Sequence, residues 1–214
     1  MNRITIILVA AVTVVAGCSR PVIKGDGAIK TEDRSISDFS KVVVAGGYQI
    51  KWSSGKPALN ISTDQNLLPL IKTVVSGNTL QIDSKEDLRP TKSIAIILSS
   101  ASLADVQLTG HNRFKASQLS GHDLKLGSTG ASDISVDGSV ANLKANLTGA
   151  SKLNAKSLQT QTATVSLLGA SYADVTVTDT LRVSVIGAGS FTYFGNPKSV
   201  ETNITGVGSI RHRP

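Results

Sequence analysis

Five acidic residues are the candidates for carbohydrate chemistry in this sequence. Enzymes that cleave glycosidic bonds use two carboxyl groups that face each other across the bond. The candidates are Asp105, Asp133, Asp137, Asp174 and Glu201. The repeat pattern described below places Asp133 and Asp174 in different columns of side chains and two turns apart. The sequence therefore predicts a solvated face of mixed charge and no catalytic pair.

Motifs for metal binding, nucleophilic catalysis and phosphate binding give no stronger candidate for a functional site. His111 and His122 could approach each other across one turn, but the sequence has no HExxH motif and no Cys/His cluster. No GxSxG motif marks a serine nucleophile. Gly187-Ala-Gly189 and Gly206-Val-Gly208 are not followed by the helix that a phosphate loop needs. The sequence predicts no catalytic residue, no metal site and no cofactor.

Aromatic residues are the candidates for ligand contact. Tyr172 stands at a position that is polar in every other repeat, and Lys152 holds the same position one repeat earlier. An aromatic ring beside a cation suits contact with a sugar or a peptide. Trp52, with Lys51 and Lys56 nearby, could be a second contact or could pack inside the domain. The alternative for Tyr172 is an isolated surface tyrosine, which needs no explanation.

The start of the chain predicts an export signal over residues 1–17. The apolar run from Ile4 to Val15 is too short to cross roughly 30 Å of hydrocarbon as a permanent helix. Val15-Ala16-Gly17-Cys18 resembles a bacterial lipobox, after which Cys18 would be acylated, with palmitate for example. Two or more acyl chains make a stable membrane anchor. The residue after the cysteine is Ser19 and not an aspartate, which in lipoproteins of this type predicts a location in the outer membrane.

The composition of the chain limits the classes of protein to which it can belong. The chain has 214 residues, of which 40% are hydrophobic and 17% charged, so it folds into one or two small domains. A single cysteine excludes an internal disulfide and a CxxC metal site. The net charge of +7 comes from scattered charges of both signs. This pattern favours anionic surfaces in general and predicts no nucleic-acid partner.

Glycines punctuate the second half of the chain at intervals of 18 to 20 residues. Around them the sequence runs LTGHN, STGAS, LTGAS, LLGAS, VIGAG and ITGVG. Self-similarity at a fixed period is typical of repeat proteins. The six repeats are centred on Gly110, Gly130, Gly149, Gly169, Gly187 and Gly206.

Apolar and polar residues alternate on both sides of these glycines. Positions two, four and six before the glycine and four and six after it are apolar in 27 of 30 cases. The positions between them hold one apolar residue in 24, Tyr172. This alternation predicts two short half-buried strands joined by a tight turn. Because one such pair cannot bury its own apolar face, the copies must stack, which predicts an all-β fold: a single-stranded parallel β-helix, or β-solenoid.

The turn at the glycine is predicted to be a crowded corner. The glycine would supply a positive φ or a close backbone approach. The hydroxyls of Ser132, Ser151 and Ser171 follow it by two residues, where successive turns pass close together. The repeat length varies after the second strand, as at Asp137-Gly138-Ser139 and Gly195-Asn196-Pro197, so these stretches are predicted to be exposed loops.

Residues 36–100 are also rich in β signals but do not follow the register of the repeats. Ser76-Gly77-Asn78 predicts a hairpin turn, and Asp64–Lys72 predicts one short helical turn capped by Asp64 or Asn66. Strands are predicted at 41–44, 48–52, 58–62, 80–83 and 93–98.

The domain division follows from these patterns. An open solenoid end exposes an unpaired strand edge that invites aggregation, and a differently built segment is the usual protection. Residues 36–100 are therefore predicted to be an N-terminal β-rich cap on the repeats of residues 101–214. Together they form one domain, 36–214. Residues 18–35 have few bulky apolar side chains and predict a tether.

The order of these elements resembles a known family. Phe39-Ser-Lys-Val-Val-Val44, Gly46-Gly47, Asp64-Gln-Asn-Leu-Leu-Pro69 and the Gly77-Asn78 turn precede GAS-type repeats, an order similar to that of the putative auto-transporter adhesin head GIN domain family. The resemblance covers roughly residues 36–210. It implies a pectin-lyase-like, right-handed β-helix, export to the cell envelope and an adhesive role.

The sequence therefore predicts an exported, lipid-anchored envelope protein whose solenoid is a non-catalytic, adhesin-like binding surface. Its partners would be the membrane, through Cys18, and a glycan or protein ligand. One alternative is a periplasmic scaffold for other envelope proteins. A further alternative is a polysaccharide-active enzyme.

Overall fold

The structure, a computed structural model, describes residues 21–213. Cys18 and the predicted export signal lie outside these residues. Apart from a single-turn 3-10 helix at Leu68–Leu70, the regular structure of the described part is all β, and no helix in it has the length and apolar character needed to cross a membrane. The strands are β1 (Val22–Lys24), β2 (Ile29–Arg34), β3 (Lys41–Gly46), β4 (Tyr48–Ser54), β5 (Ala58–Asp64), β6 (Ile71–Ser76), β7 (Thr79–Ser84), β8 (Asp87–Arg89), β9 (Ile94–Ser100), β10 (Asp105–Gly110), β11 (Arg113–Gly130), β12 (Asp133–Gly149), β13 (Lys152–Gly169), β14 (Tyr172–Gly187), β15 (Ser190–Phe194), β16 (Ser199–Gly206) and β17 (Ser209–Arg213).

The repeats stack as the alternation predicts. Each pair of neighbouring repeats is joined by parallel pairing, and the repeat glycines stand in one column. Five consecutive intervals from Gly110 to Gly206 make about five turns of a β-solenoid. The predicted β-solenoid is confirmed.

Residues 41–52 also form a rung of this stack, so the prediction that residues 36–100 lie outside the register is wrong for them. Strand β3 pairs in parallel with β10, which places Gly46 beside Gly110. Strand β4 pairs with β11, which places Trp52 beside Ala116. Val42, Val44, Ile50 and Trp52 therefore point inward at the same positions as their counterparts in the repeats.

The glycine corner is as crowded as predicted. Gly169 has φ +101°, and a Cβ added there would lie 2.6 Å from the backbone oxygen of Gly149. Beside it runs a buried column of hydroxyls: the Ser151 N–H donates to Ser171 Oγ, and the Ser132 N–H donates to Ser151 Oγ, both at 3.3 Å. The serine N–H groups thus find partners in the next turn, and the serine hydroxyls donate to glycine carbonyls of the preceding turn.

Each turn of the solenoid has a second bend opposite the glycine corner. The structure of this bend differs from the predicted exposed loop. Asp137-Gly138-Ser139 lies inside strand β12, where the pairing with β11 shifts register as in a β-bulge. Gly138 is half-buried with φ +126°, and a Cβ there would contact the backbone of Leu119. Repeats of unequal length are therefore absorbed by bulges that keep the strands paired. The stretch around Gly195-Asn196-Pro197 does connect two separate strands, β15 and β16.

The N-terminal strands extend both faces of the solenoid. On one face β7 pairs in parallel with β3, and β6 then pairs antiparallel with β7. On the other face β9 pairs in parallel with β4, and β5 and β2 follow antiparallel. The change from parallel to antiparallel pairing marks the end of the repeat pattern. The protective role of residues 36–100 as a cap stays a prediction.

Residues 22–34 are folded, which corrects the predicted tether of residues 18–35. Strand β1 pairs with β8, and β2 pairs with β5. The buried carboxylate of Asp64 fixes the connection between β1 and β2 because it accepts hydrogen bonds from the N–H of Gly27 at 2.7 Å and from the Thr91 hydroxyl at 2.7 Å. Few bulky apolar side chains are needed when backbone pairing and a buried carboxylate hold the segment.

Of the two local turns predicted in this region, the hairpin agrees with the prediction and the helical turn agrees in position but not in its cap. The predicted hairpin is confirmed, since Ser76 pairs with Thr79 across Gly77-Asn78. The predicted helical turn is the 3-10 helix at Leu68–Leu70, but its N-cap is Leu67 without a side-chain hydrogen bond. Asp64 and Asn66 are unavailable as caps because they bind the N-terminal segment, Asn66 through the backbone of Asp26 and Lys24.

Candidate functional site

The outer surface of the solenoid has two broad faces, one on each side of the glycine column. We call the side chains three, five and seven residues after each glycine the post-glycine face, and those one, three and five residues before it the pre-glycine face. Both project to solvent from strands whose alternate residues fill the core. The post-glycine face is carried by β4, the first halves of β11 to β14, β15 and β17.

Lys152 and Tyr172 lie side by side at the centre of the post-glycine face. They are paired neighbours on β13 and β14, in the adjacency that the sequence predicts. Tyr172 is 52% exposed, and Lys152 is exposed. The column continues through Asp133 and Arg113 on one side and Ser190 on the other. The role of these two residues in ligand contact stays a prediction.

A second aromatic group lies on the same face. The ammonium of Lys156 sits 4.6 Å from the centre of the Phe194 ring, two turns away. The sequence pattern does not indicate this contact, because the alternation extends only to six residues after the glycine and both residues stand at the seventh. Beside it, the rings of Tyr193 and His212 stack at 4.5 Å, and His212 Nε2 lies 2.8 Å from the carbonyl oxygen of Gly195.

Trp52 is not a surface residue, so it cannot be the second contact. It is 3% exposed, and its indole N–H donates to Ser100 Oγ at 2.9 Å. It occupies the inward position six residues after Gly46, which in the next turn holds Ala116. The alternative that Trp52 packs inside the domain is correct.

The acidic candidates are separated from each other. Asp133 stands in the column of Arg113 and Lys152, whereas Asp174 stands in the next column and two turns away. Three others are engaged locally: Asp105 accepts from Gln107 at 2.6 Å, Asp137 from the Gln118 N–H at 2.7 Å, and Glu201 from Arg182 at 3.1 Å. This arrangement gives no facing pair of carboxyl groups on the solenoid faces.

The histidines do not come together as the sequence allowed. His111 follows Gly110 at the corner, whereas His122 precedes the next glycine, Gly130, by eight residues. In paired strands that offset corresponds to about 26 Å. His122 instead forms a contact with Asp123 at 3.1 Å, and within residues 21–213 no three His, Cys, Asp or Glu residues form a group that could hold a metal ion.

A cleft at the N-terminal end of the glycine column is a feature that the sequence does not indicate. It has a volume of about 870 Å³ and lies between the corner at Gly46 and Gly110 and the segment around Glu86. His111 and Asp87 also line it, as does Tyr48, whose pKa is raised to about 12 by burial and secondarily by Asp83. Segments far apart in sequence form this cleft, so no local pattern marks it.

A match to a known family covers most of the N-terminal elements and most of the glycine corner. The sequence model of the family described as "Putative auto-transporter adhesin, head GIN domain" matches residues 38–197. The chain belongs to this family. The match includes the rung at Gly46, the hairpin at Gly77 and most of the repeats. No functionally curated protein matches the chain in sequence.

Solved structures share the fold of this head GIN domain. A crystal structure of a putative adhesin from Bacteroides fragilis superposes with a TM-score of 0.75 at 20% identity, covering 89% of this chain and 100% of the other. A putative lipid binding protein from Parabacteroides distasonis gives a TM-score of 0.55 at 21% identity, covering 90% and 100%. A putative adhesin from Parabacteroides merdae gives 0.55 at 18% identity, covering 91% and 100%. At these identities the likeness shows the fold.

Proposed function

We propose that this head GIN protein is exported, is anchored to the outer membrane through an acylated Cys18, and uses its solenoid as a non-catalytic, adhesin-like binding surface. The observation that carries the proposal is the post-glycine face, where the exposed pair Lys152 and Tyr172 lies on a rigid ladder of paired strands. A rigid extended face of regularly spaced side chains is what repeat proteins use for binding. The family, described as an adhesin head, supports a place at the cell envelope.

Cys18 lies close in sequence to the first strand of the folded domain. Strand β1 begins at Val22, so only four residue steps separate it from Cys18. Four steps span at most about 14 Å. If Cys18 carries the lipid, the solenoid lies against the membrane surface, and its post-glycine face reaches a ligand near that surface.

The anchor is tested by metabolic labelling with a palmitate analogue. The wild-type protein should carry the label and sediment with the outer membrane, and the Cys18→Ser variant should lose the label and appear in soluble fractions. Label on the variant, or sedimentation of the variant with the outer membrane, would contradict the proposal. Because the only cysteine is at position 18, no second thiol can take up the lipid.

The orientation is tested by protease shaving of intact cells. Loss of the domain from intact cells supports a surface adhesin. Full protection on intact cells, with digestion after the outer membrane is opened, supports the periplasmic scaffold, and crosslinking would then identify its envelope partners.

The binding role is tested by attachment of cells or of the isolated protein to glycan and protein surfaces. Tyr172→Ala and Lys152→Ala should weaken attachment, while Lys144→Ala, an exposed lysine of the pre-glycine face, should not. Circular dichroism should be the same for all variants. New reducing ends or unsaturated products from any polysaccharide incubated with the protein would refute the non-catalytic role.

A further inference from the structure

The post-glycine face carries more positive charge than the pre-glycine face. Both faces contain 21 positions, three in each of the seven rungs that start at Gly46. The post-glycine face has seven cations and three acids, whereas the pre-glycine face has four cations and two acids. The seven cations are Lys51, Arg113, Lys115, Lys152, Lys156, Arg211 and Arg213.

These cations are free to bind an external anion. All seven are exposed, and within residues 21–213 none of them lies within 4.0 Å of a carboxylate oxygen. On the pre-glycine face, by contrast, Arg182 forms a 3.1 Å ion pair with Glu201. Unpaired cations on a fixed scaffold attract polyanions over about a Debye length, 8 Å at physiological salt.

Two aromatic rings are placed among these cations. Tyr172 is exposed next to Lys152, and Phe194, which is half-buried, lies below the ammonium of Lys156. On the pre-glycine face the 21 positions hold no aromatic residue. Aromatic rings stack on the apolar faces of sugar rings, while the adjacent ammonium groups bind carboxylates.

The distance between successive rungs of the post-glycine face matches the repeat distance of a linear sugar polymer. Successive rungs are about 4.8 Å apart, which is close to the length of one sugar unit in an extended polysaccharide. Lys152, Tyr172 and the residues beside them therefore present one side chain per sugar along the solenoid axis. A chain of acidic sugars could contact several cations at once, so that many weak contacts add up to a useful affinity.

We infer that the post-glycine face binds an acidic polysaccharide, a polymer of uronate sugars in the simplest case. The aromatic rings favour a sugar polymer over a bilayer of an anionic phospholipid such as phosphatidylglycerol, whose headgroup has no ring for stacking. This inference rests on the proposed binding function and specifies the class of its ligand.

The test measures binding of the purified protein, with Cys18 replaced by serine, to polygalacturonate by isothermal titration calorimetry. Lys115, Lys152 and Lys156 are replaced together by Glu. The matched control replaces Lys41, Lys125 and Lys144 of the pre-glycine face by Glu, which changes the net charge by the same amount. All six lysines are exposed, so both triple variants should keep the melting temperature.

The post-glycine variant should bind polygalacturonate about tenfold more weakly or worse, and the control variant should retain most of the affinity. Tyr172→Ala should weaken binding at unchanged charge, and added salt should weaken binding of the wild type. Equal loss in both triple variants would mean attraction by net charge alone and would overturn the inference.

Two other outcomes would also overturn it. One is binding to phosphatidylglycerol vesicles or to duplex DNA with no binding to polygalacturonate. The other is binding to neutral dextran that neither triple variant changes. Failure of polygalacturonate binding in a protein that still mediates attachment on the cell surface would refute this inference and leave the proposed function standing.

Discussion

At the scale of single residues, three glycines separate the two costs of placing a side chain on a glycine: torsional strain and collision with neighbouring atoms. Gly169 has φ +101° and also faces the backbone oxygen of Gly149, so a side chain there meets both torsional strain and a collision. Gly77 has φ +58° in the hairpin turn, where a Cβ would have open space. Gly121 has open space and no positive φ. The expected cost of adding a side chain therefore decreases from Gly169 to Gly77 to Gly121.

Alanine at the three positions should therefore give three different results in urea unfolding. Gly169→Ala should lower the free energy of unfolding by about 3 kcal/mol or more, because neither the torsion nor the packed backbone can relax cheaply. Gly77→Ala should lower it by about 1 kcal/mol through the torsion alone. Gly121→Ala should leave it within about 0.5 kcal/mol. A loss at Gly169 no larger than at Gly77 would show that the stacked backbones can separate at the corner.

The single tryptophan reports on the inward position of β4. Trp52 is buried beside Ser100, so its emission should be blue-shifted in the native protein and should resist quenching by acrylamide. In urea both properties should change together with the loss of β structure, since the ring lies in the core of the first rung. Trp52→Phe should lower the free energy of unfolding by about 1–2 kcal/mol through the lost indole hydrogen bond and ring volume. Strong quenching of the folded protein would place Trp52 at the surface after all.

At the scale of elements, the N-terminal segment is held by one buried carboxylate. Hydrogen bonding, first of all from the Thr91 hydroxyl, keeps the pKa of Asp64 below its ordinary value of 3.8 in spite of its burial. A carboxyl group with a lowered pKa in the folded state stabilises that state at pH values above its pKa in the unfolded chain. Its contribution is lost as the pH falls through the lower, folded pKa.

Hydrogen exchange at β1 and β2 should therefore be slow at neutral pH and accelerate below about pH 4, beyond the intrinsic pH dependence of the chemistry. Asp64→Asn should show fast exchange in these strands already at neutral pH and a lower melting temperature, since the amide cannot accept all the hydrogen bonds of a carboxylate. Asp179→Asn is the control, because the pKa of Asp179 is lowered too, by Lys198, at the other end of the solenoid. Equal protection in the wild type and Asp64→Asn would show that strand pairing alone holds the segment.

The same elements show what a sequence can reveal and what it cannot. The alternation around Gly110 to Gly206 is local and periodic, so it predicts both the strands and their stacking. The residues around Gly46 carry the same pattern, with Val44 two before and Ile50 four after. That rung was missed because 64 residues separate Gly46 from Gly110, where the repeat period is about 19.

Non-local partners account for the other differences. The carboxylate of Asp64 pairs with Gly27 and Thr91, which no spacing rule connects. The cleft near Glu86 likewise joins a turn after β7 to the corner of the solenoid. At the candidate site, the neighbourhood of Lys152 and Tyr172 followed from the register, whereas the contact between Lys156 and Phe194 depends on how far a lysine side chain reaches across a turn.

At the scale of the whole molecule, each turn contacts only the turns next to it, so the solenoid should tolerate loss of one complete repeat. Deletion of residues 150–169 joins Gly149 to Ala170, which keeps the order glycine, alanine, serine at the corner. Asp133 would then pair with Tyr172, and both would still face outward. The apolar columns would remain continuous on both sides of the glycine.

This deletion variant should remain soluble and all-β by circular dichroism, and should unfold in one transition with an m-value about 10% lower, in proportion to the surface lost. Deletion of residues 150–159 removes half a turn and is the matched control. It moves Gly169 to the opposite bend and brings Asp179 to the position 20 residues after Gly149 that Gly169 holds in the wild type. A side chain there would collide with the backbone oxygen of Gly149. The control should aggregate or unfold at a much lower urea concentration. If the half-turn deletion were as stable as the full-turn deletion, stacking of the glycine corner would not be what determines the number of residues in each turn.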